Sequence, residues 1–244
     1  MLLYHYTSLQ TLCSIINGMQ NGHLFLRATN AQNMNDPNDC YYFIDVINQI
    51  IDNIDIDEIV KQKNKYDTPY LICLSKRKDD LHMWNCYGDN GNGVAIGFDL
   101  GKLNEKVNEF FQKNHTSAKL FKCLYASPKQ VKNSLDFASL FIKTKINKSF
   151  WQNEQISNIS NIIKHPCYRY EREFRIVIKH GKEEKVITDA YNKDEDAFYL
   201  PLPINAVKSI IVGPNANFDA IKKIFEDYFP YAKFLESVIP YRSK

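Results

Sequence analysis

The chain has 244 residues, 44% of them hydrophobic and 13% aromatic, ample for a core in one large domain or two small ones. Its 31 basic and 28 acidic residues leave a formal charge of only +3, so there is no global electrostatic case for nucleic-acid or anionic-membrane binding. No apolar stretch reaches the roughly 18 residues of a membrane span, and Met1-Leu2-Leu3-Tyr4-His5 has neither a basic leader nor a long apolar run. The six cysteines form no Cys-x-x-Cys pair and no zinc-like cluster, which points to packed, reduced thiols and a cytoplasmic protein.

In chain order, Leu2 to Tyr6 reads as a short strand. Thr7-Ser8 then caps a helix carrying Leu9, Leu12, Ile15 and Ile16 and closed by Gly18 or Gly22. Leu24 to Leu26 is a second strand. Asp36-Pro37 marks a turn, with Asn38 or Asp39 capping a helix through Phe43, Val46, Ile47, Ile50 and Ile51. Residues 52 to 68 are charged and are expected as a surface helix or loop, with the lysines from Lys61 to Lys65 on a solvated face. The continuous apolar run Tyr70 to Ser75 suits a central strand.

Leu81 to Tyr87 forms a short helix ending at Gly88, followed by a glycine-rich turn into the buried strand Val94 to Asp99. A helix near 102 to 113 and a strand from Leu120 to Tyr125 come next. Residues 128 to 163 have weak helical spacing and read as a helical insertion covering the sheet, with a second lysine cluster from Lys143 to Lys148. The stretch Tyr168 to Ile178 reads as a strand, and a charged hairpin passes through Gly181. Short apolar strands from Phe198 to Pro203 and Val207 to Val212, an amphipathic helix from Phe218 to Phe229 and a last strand in Phe234 to Ile239 complete the chain. Without regular strand-helix-strand alternation, the fold class is α+β in a single domain, 1–244.

The chemistry concentrates in the strand from Tyr168. Alternation places Phe174, Ile176 and Ile178 on one face and Glu171, Glu173 and Arg175 on the other, attaching a carboxylate pair to a core strand. Such a pair can stabilise developing positive charge or polarise a sugar hydroxyl. A solvated Glu-Arg ladder would look the same. Arg175 is expected to hold a carboxylate in place. His5, at a strand end beside a helix start, can donate to ribose hydroxyls. Trp84 and Tyr87, about one helical turn apart, can wall a flat heterocycle; helix-to-sheet packing is the competing reading, favoured for Trp84, and Tyr87 is the better ligand candidate.

Two fingerprints fail. Gly91-Asn-Gly93-Val-Ala-Ile-Gly97 misses the dinucleotide spacing by one and precedes its strand, and there is no Walker loop. His82 and Cys86 are four apart without a third metal ligand nearby, so structural packing is the reading for that pair.

Taken in order, Leu3-Tyr4-His5-Tyr6-Thr7-Ser8, Asn35-Asp36-Pro37, Met83-Trp84 with Tyr87, Gly93 to Asp99 and Tyr170 to Ile176 resemble the bacterial domain-of-unknown-function family numbered 2971. More distantly, a histidine in the first strand, central aromatics and Glu-x-Glu on a late strand are similar to the His-Tyr-Glu layout of ADP-ribosyltransferases. That second resemblance implies a mixed, mainly antiparallel split sheet with flanking helices, and NAD as substrate without a metal. On it, His5 holds the nicotinamide ribose, Tyr87 or Tyr6 stacks on nicotinamide, Glu173 is the catalytic carboxylate and Glu171 orients the acceptor. Thr7 and Ser75 join the NAD contacts, with Ser75 supporting Glu173. The implied activity is transfer of ADP-ribose to a protein or nucleic acid, or NAD hydrolysis, in a bacterial toxin or phage-defence effector, with homo-oligomerisation left open. The alternatives are a non-catalytic nucleotide- or protein-binding module on the same fold, and a metal-dependent nucleic-acid-processing enzyme using Glu171, Glu173 and Asp36 or Asp39.

Overall fold

One strand, β3 (Pro69–Ser75), joins both arms of the sheet. In a computed structural model that describes residues 1–34, 39–50, 55–114, 117–133, 150–151, 153–179 and 191–240, β3 pairs along its whole length with β8 (Glu173–Lys179). Its other edge is shared. β1 (Leu2–Thr7) meets it only at Tyr4↔Ser75, and β2 (His23–Asn30) meets it only at Thr29↔Leu71 and Asn30↔Tyr70. The sheet therefore forks at β3.

From the fork, one arm continues from β1 through β4 (Val94–Asp99) and β11 (Val207–Val212) to β12 (Lys233–Glu236). The other runs from β2 through β10 (Ala197–Pro203) to β9 (Tyr191–Asn192), and β5 (Ser117–Lys122) extends the stem beyond β8. Pairing is antiparallel throughout this sheet except between β11 and β12. A separate parallel pair joins β6 (Leu124–Tyr125) to β7 (Ile163–Lys164). The architecture is mixed α and β, built on a mostly antiparallel open sheet.

Period-2 alternation decides the layers. Leu3, Ile72, Leu74, Ile96, Ile176, Ile178, Phe198, Leu200 and Ile210 all point into one main core, which α1 (Leu9–Asn17), α5 (Leu100–Asn114) and α8 (Phe218–Phe225) help to close. On the opposite face, Leu71 and Val177 pack with Ala31, Cys40 and Ile162, the last from α7 (Glu154–Ile162). A further apolar cluster gathers Phe43, Ile47, Ile59, Val131, Phe150 and Trp151 from α2 (Tyr42–Asn48), α3 (Ile56–Tyr66), α6 (Pro128–Lys132) and their neighbours.

Local signals place most elements. Ser8 caps α1 by accepting from Thr11 N at 3.1 Å, and Asp80 caps α4 (Leu81–Tyr87) by accepting from His82 N at 3.0 Å. Gly93 is required by a close approach: a Cβ there would sit 2.1 Å from Thr7 O.

Three expectations are corrected. The strand expected from Tyr168 starts at Glu173, because Pro166–Glu171 wind into a 3-10 turn begun by Pro166 and capped by His165, and Arg172 is left-handed at φ 45°. The single strand expected from Leu120 to Tyr125 breaks at Cys123, whose N–H donates to Glu173 O at 2.9 Å. Residues 52 to 68 are not all surface: Lys63 is buried and donates to Asp67 Oδ2 at 2.8 Å, Ser160 Oγ at 3.2 Å and Asn161 Oδ1 at 3.0 Å. The Asn35-Asp36-Pro37 motif, Asn38, the Asp39 side chain, the Lys143 to Lys148 cluster and the hairpin through Gly181 lie outside the described residues, as does 134–149 within the expected insertion.

Candidate functional site

The fork opens a cavity of about 420 Å³, lined among the described residues by Tyr4, His5 and Tyr6 of β1, Cys73 to Ser75 of β3, Met83 and Tyr87 of α4, Met34, and Lys164, Tyr168, Glu171 and Glu173. That volume lies within the range of small-molecule sites. Splaying β1 from β2 leaves Cys73 between the two partial ladders, and His5 fills the gap. Its Nδ1 lies 3.1 Å from Cys73 O. A carbonyl only accepts, so Nδ1 carries the hydrogen and Nε2 is the acceptor of the neutral ring. Burial lowers the His5 pKa against the opposing effect of this bond, which keeps the ring neutral at pH 7. His5 is thus an acceptor, where the sequence reading made it a donor to ribose.

At the floor, Lys164 stands between the two acids. Its Nζ donates to Glu171 Oε2 at 2.6 Å and to Glu173 Oε2 at 2.7 Å, and lies 4.8 Å from the centre of the Tyr168 ring. The β6–β7 pairing fixes its backbone, with Tyr125 opposite Lys164, and the Tyr125 hydroxyl accepts from Glu173 N at 2.8 Å. Left-handed Arg172 turns the chain between Glu171 and Glu173, so the two carboxylates converge on one ammonium although only Glu173 lies in the strand.

Arg175 completes the arrangement. Fully buried, it donates through Nε to Glu173 Oε1 at 2.8 Å, through Nη2 to Glu173 Oε2 at 3.2 Å and through Nη1 to Asn161 O at 2.9 Å. It does not line the cavity and holds Glu173 from behind. Burial alone would raise the Glu173 carboxyl, but the charges of Arg175 and Lys164 and their hydrogen bonds outweigh it and hold the group well below the usual carboxylate range.

The remaining expected residues separate. Tyr87 lines the cavity and donates to Glu171 Oε1 at 2.8 Å; burial first, then the Glu171 charge, pushes its hydroxyl pKa up. Tyr6 also lines it, but its hydroxyl is spent on Arg77 O at 3.0 Å. Ser75 lies opposite Glu173 in register, yet its hydroxyl donates to Glu171 O at 2.5 Å, so it supports the Glu171 main chain and not the Glu173 carboxylate. Trp84 is fully buried, edge-on to Tyr6 at 4.8 Å and bonded through Nε1 to Asp79 Oδ1 at 2.6 Å, a packing residue without access to the cavity. Thr7 is buried outside the lining.

His82 and Cys86 are both exposed, so the packing expected of them is not what the structure has, and burial and Glu171 raise the Cys86 thiol pKa. Among the described residues, no group of three or more His, Cys, Asp or Glu is arranged to hold a metal ion.

Sequence reasoning missed Lys164, Tyr168, Met34, Met83 and Tyr4. Lys164 had a readable signal: a lone lysine directly after Ile162-Ile163, with Glu residues seven and nine positions on. The others carry no pattern that separates a cavity wall from ordinary packing.

Among protein families, residues 83–176 match the model described as "Protein of unknown function (DUF2971)". The DUF2971 segment carries Met83, Tyr87, Lys164, Tyr168, Glu171 and Glu173 of the cavity, while Tyr4, His5, Tyr6, Met34 and Ser75 come from chain before it. No curated protein and no solved structure matches the chain.

Proposed function

We propose that this protein is an ADP-ribosyltransferase-like enzyme that cleaves the nicotinamide-ribose bond of NAD, passing ADP-ribose to an acceptor or to water. One observation carries the reading: His5, Tyr87, Glu171 and Glu173, drawn from four separate elements, converge on one cavity. A forked, mainly antiparallel sheet supports the transferase-type fold, and six free thiols support a cytoplasmic setting. A toxin or phage-defence role is consistent with it.

Breaking the bond leaves positive charge on the ribose ring, and a carboxylate bonded to a ring hydroxyl helps most as that charge develops. The C1′–N bond breaks with its electron pair leaving on neutral nicotinamide. Water or an acceptor hydroxyl then bonds to C1′ and gives up a proton, for which neutral His5 Nε2 is an acceptor. Glu173 already accepts three hydrogen bonds, whereas Glu171 accepts two on its carboxylate. Glu171 is accordingly the acid that meets a ribose hydroxyl, and Glu173 fixes Lys164. The catalytic role thus moves to Glu171 from Glu173, where the resemblance placed it.

A second reading, a binding module without turnover, is favoured by the charge balance. Lys164 and Arg175 neutralise Glu171 and Glu173, leaving no net negative charge to stabilise the ring. Incubation with NAD labelled in the adenylate moiety separates the two. The enzyme reading expects label on an acceptor or free ADP-ribose, reduced at least 100-fold in Glu171→Gln, whereas saturable binding with intact NAD selects the module.

A further inference from the structure

Two segments are laced together beside the cavity. Past the last β3–β8 pair, Ser75↔Glu173, one more bond runs from Lys76 N to Arg172 O at 3.1 Å. Arg77 ties the segments again: its Nε donates to Tyr170 O at 3.0 Å and its main-chain N–H to Ser75 Oγ at 3.0 Å, while Ser75 Oγ donates to Glu171 O. Lys76-Arg77-Lys78 is therefore fixed against Arg169-Tyr170-Glu171-Arg172, adjoining Ser75 and Glu171 of the cavity lining. Five of these seven residues are cations.

The positive charge faces water and the acids do not. Lys76, Lys78, Arg169 and Arg172 are exposed and make no ion pair among the described residues, whereas Arg77 lies 3.6 Å from Asp80. Asp80 caps α4, Glu171 is buried on Lys164, and Asp79 accepts from Trp84 Nε1 at 2.6 Å, Ser237 Oγ at 2.8 Å and Val238 N at 2.9 Å. A formal charge of +3 over the whole chain conceals this local surplus. Among the four exposed cations stands Tyr170, itself 66% exposed, its carbonyl pinned by Arg77 and its turn closed by left-handed Arg172. An acidic peptide would satisfy the cations and leave that ring uncovered, and a duplex keeps its base faces stacked inside. An unpaired base covers the ring while its flanking phosphates meet the cations.

We propose that this rim binds a single-stranded nucleic acid, with Tyr170 stacked on a base and Lys76, Lys78, Arg169 and Arg172 on the phosphates. The assignment goes beyond NAD chemistry and does not rest on it.

The test is fluorescence anisotropy of the full chain with labelled oligothymidylate and oligouridylate of about 12 nucleotides, the scale of one single-strand site. Saturable binding is expected at about 0.15 M salt; binding of both strands, or of one alone, supports the proposal and assigns the sugar. Tyr170→Ala weakens it at least about fivefold, the loss of one stacked base, and Tyr170→Phe, which keeps the ring, restores it to within about twofold. Lys76→Gln with Lys78→Gln flattens the slope of log Kd against log salt by about 1.4, two phosphate contacts at about 0.7 each. Lys61→Gln with Lys65→Gln removes the same charge from α3 and leaves that slope unchanged. All five substituted positions are exposed, and matching thermal melts confirm that each variant folds. No oligonucleotide binding, a duplex or a polyglutamate peptide bound as tightly as the single strand, or full affinity in Tyr170→Ala overturns the proposal. None of these readouts depends on nicotinamide release, so this assignment and the NAD reading fail separately.

Discussion

Lys164 Nζ lies 2.7 Å from Glu173 Oε2 with both side chains almost wholly buried, and the same ammonium holds Glu171 at 2.6 Å. Removing one partner of a buried pair strands the other's charge, at a cost of about 3–5 kcal/mol. Lys164→Met should destabilise the fold by that amount in urea unfolding at pH 7. Lys164→Arg, which keeps the charge, should cost clearly less, and equal losses would mean that Lys164 contributes through packing alone.

Acid should unfold the protein in two stages. Burial holds the His5 pKa below its ordinary 6.5, so the unfolded state takes up that proton first and stability starts to fall as pH drops below about 6.5. The Glu173 carboxyl is also depressed in the folded state, so its contribution is complete above its ordinary value of 4.5 and is lost as pH falls toward 2. Urea midpoints measured from pH 8 to pH 3 should decline across both windows. His5→Gln should remove the upper decline and leave the lower one.

Gly93 and Gly101 offer a contrast in backbone contact. A Cβ at Gly93 would meet Thr7 O at 2.1 Å and Gly88 O at 2.9 Å, both main chain and unable to yield. Gly93→Ala should therefore cost about 3 kcal/mol or more, by pushing β4 from β1 at the end nearest the site. At Gly101 the nearest atom is a side-chain oxygen of Asp99 at 3.2 Å. Gly101→Ala lies in α5 and should be neutral or stabilising by about 0.5–1 kcal/mol. Thermal melts of the two variants check this directly.

Behind the site, Asn161 links two polar networks. Its carbonyl accepts from Arg175, which holds Glu173, while its amide nitrogen donates to Asp67 Oδ1 at 3.2 Å and its amide oxygen accepts from buried Lys63 at 3.0 Å. Asp67→Ala would leave Lys63 buried without its carboxylate. It should cost about 3–5 kcal/mol, and the added Lys63→Met should recover part of that loss. A double-mutant cycle in urea measures the coupling.

The central strands were readable as continuous apolar runs between turn signals, as in Tyr70 to Ser75 and Val94 to Asp99. The fork was not. It depends on β1 and β2 sharing one edge of β3, a long-range pairing that no local pattern encodes. The acid pair was visible as Glu-x-Glu and Lys164 as a lone lysine after Ile162-Ile163, but that this lysine bridges both acids shows only once its partners are placed. Helical spacing left Trp84 open between a wall shared with Tyr87 and helix-to-sheet packing, and the structure packs it under Tyr6, outside the cavity.

The central claim is that the cavity at the fork cleaves NAD. Purified protein incubated with NAD at pH 7 should release nicotinamide, and Glu171→Gln, shown by its melt to be folded, should release it at least 100-fold more slowly. A folded wild-type chain that neither binds nor consumes NAD would contradict the account.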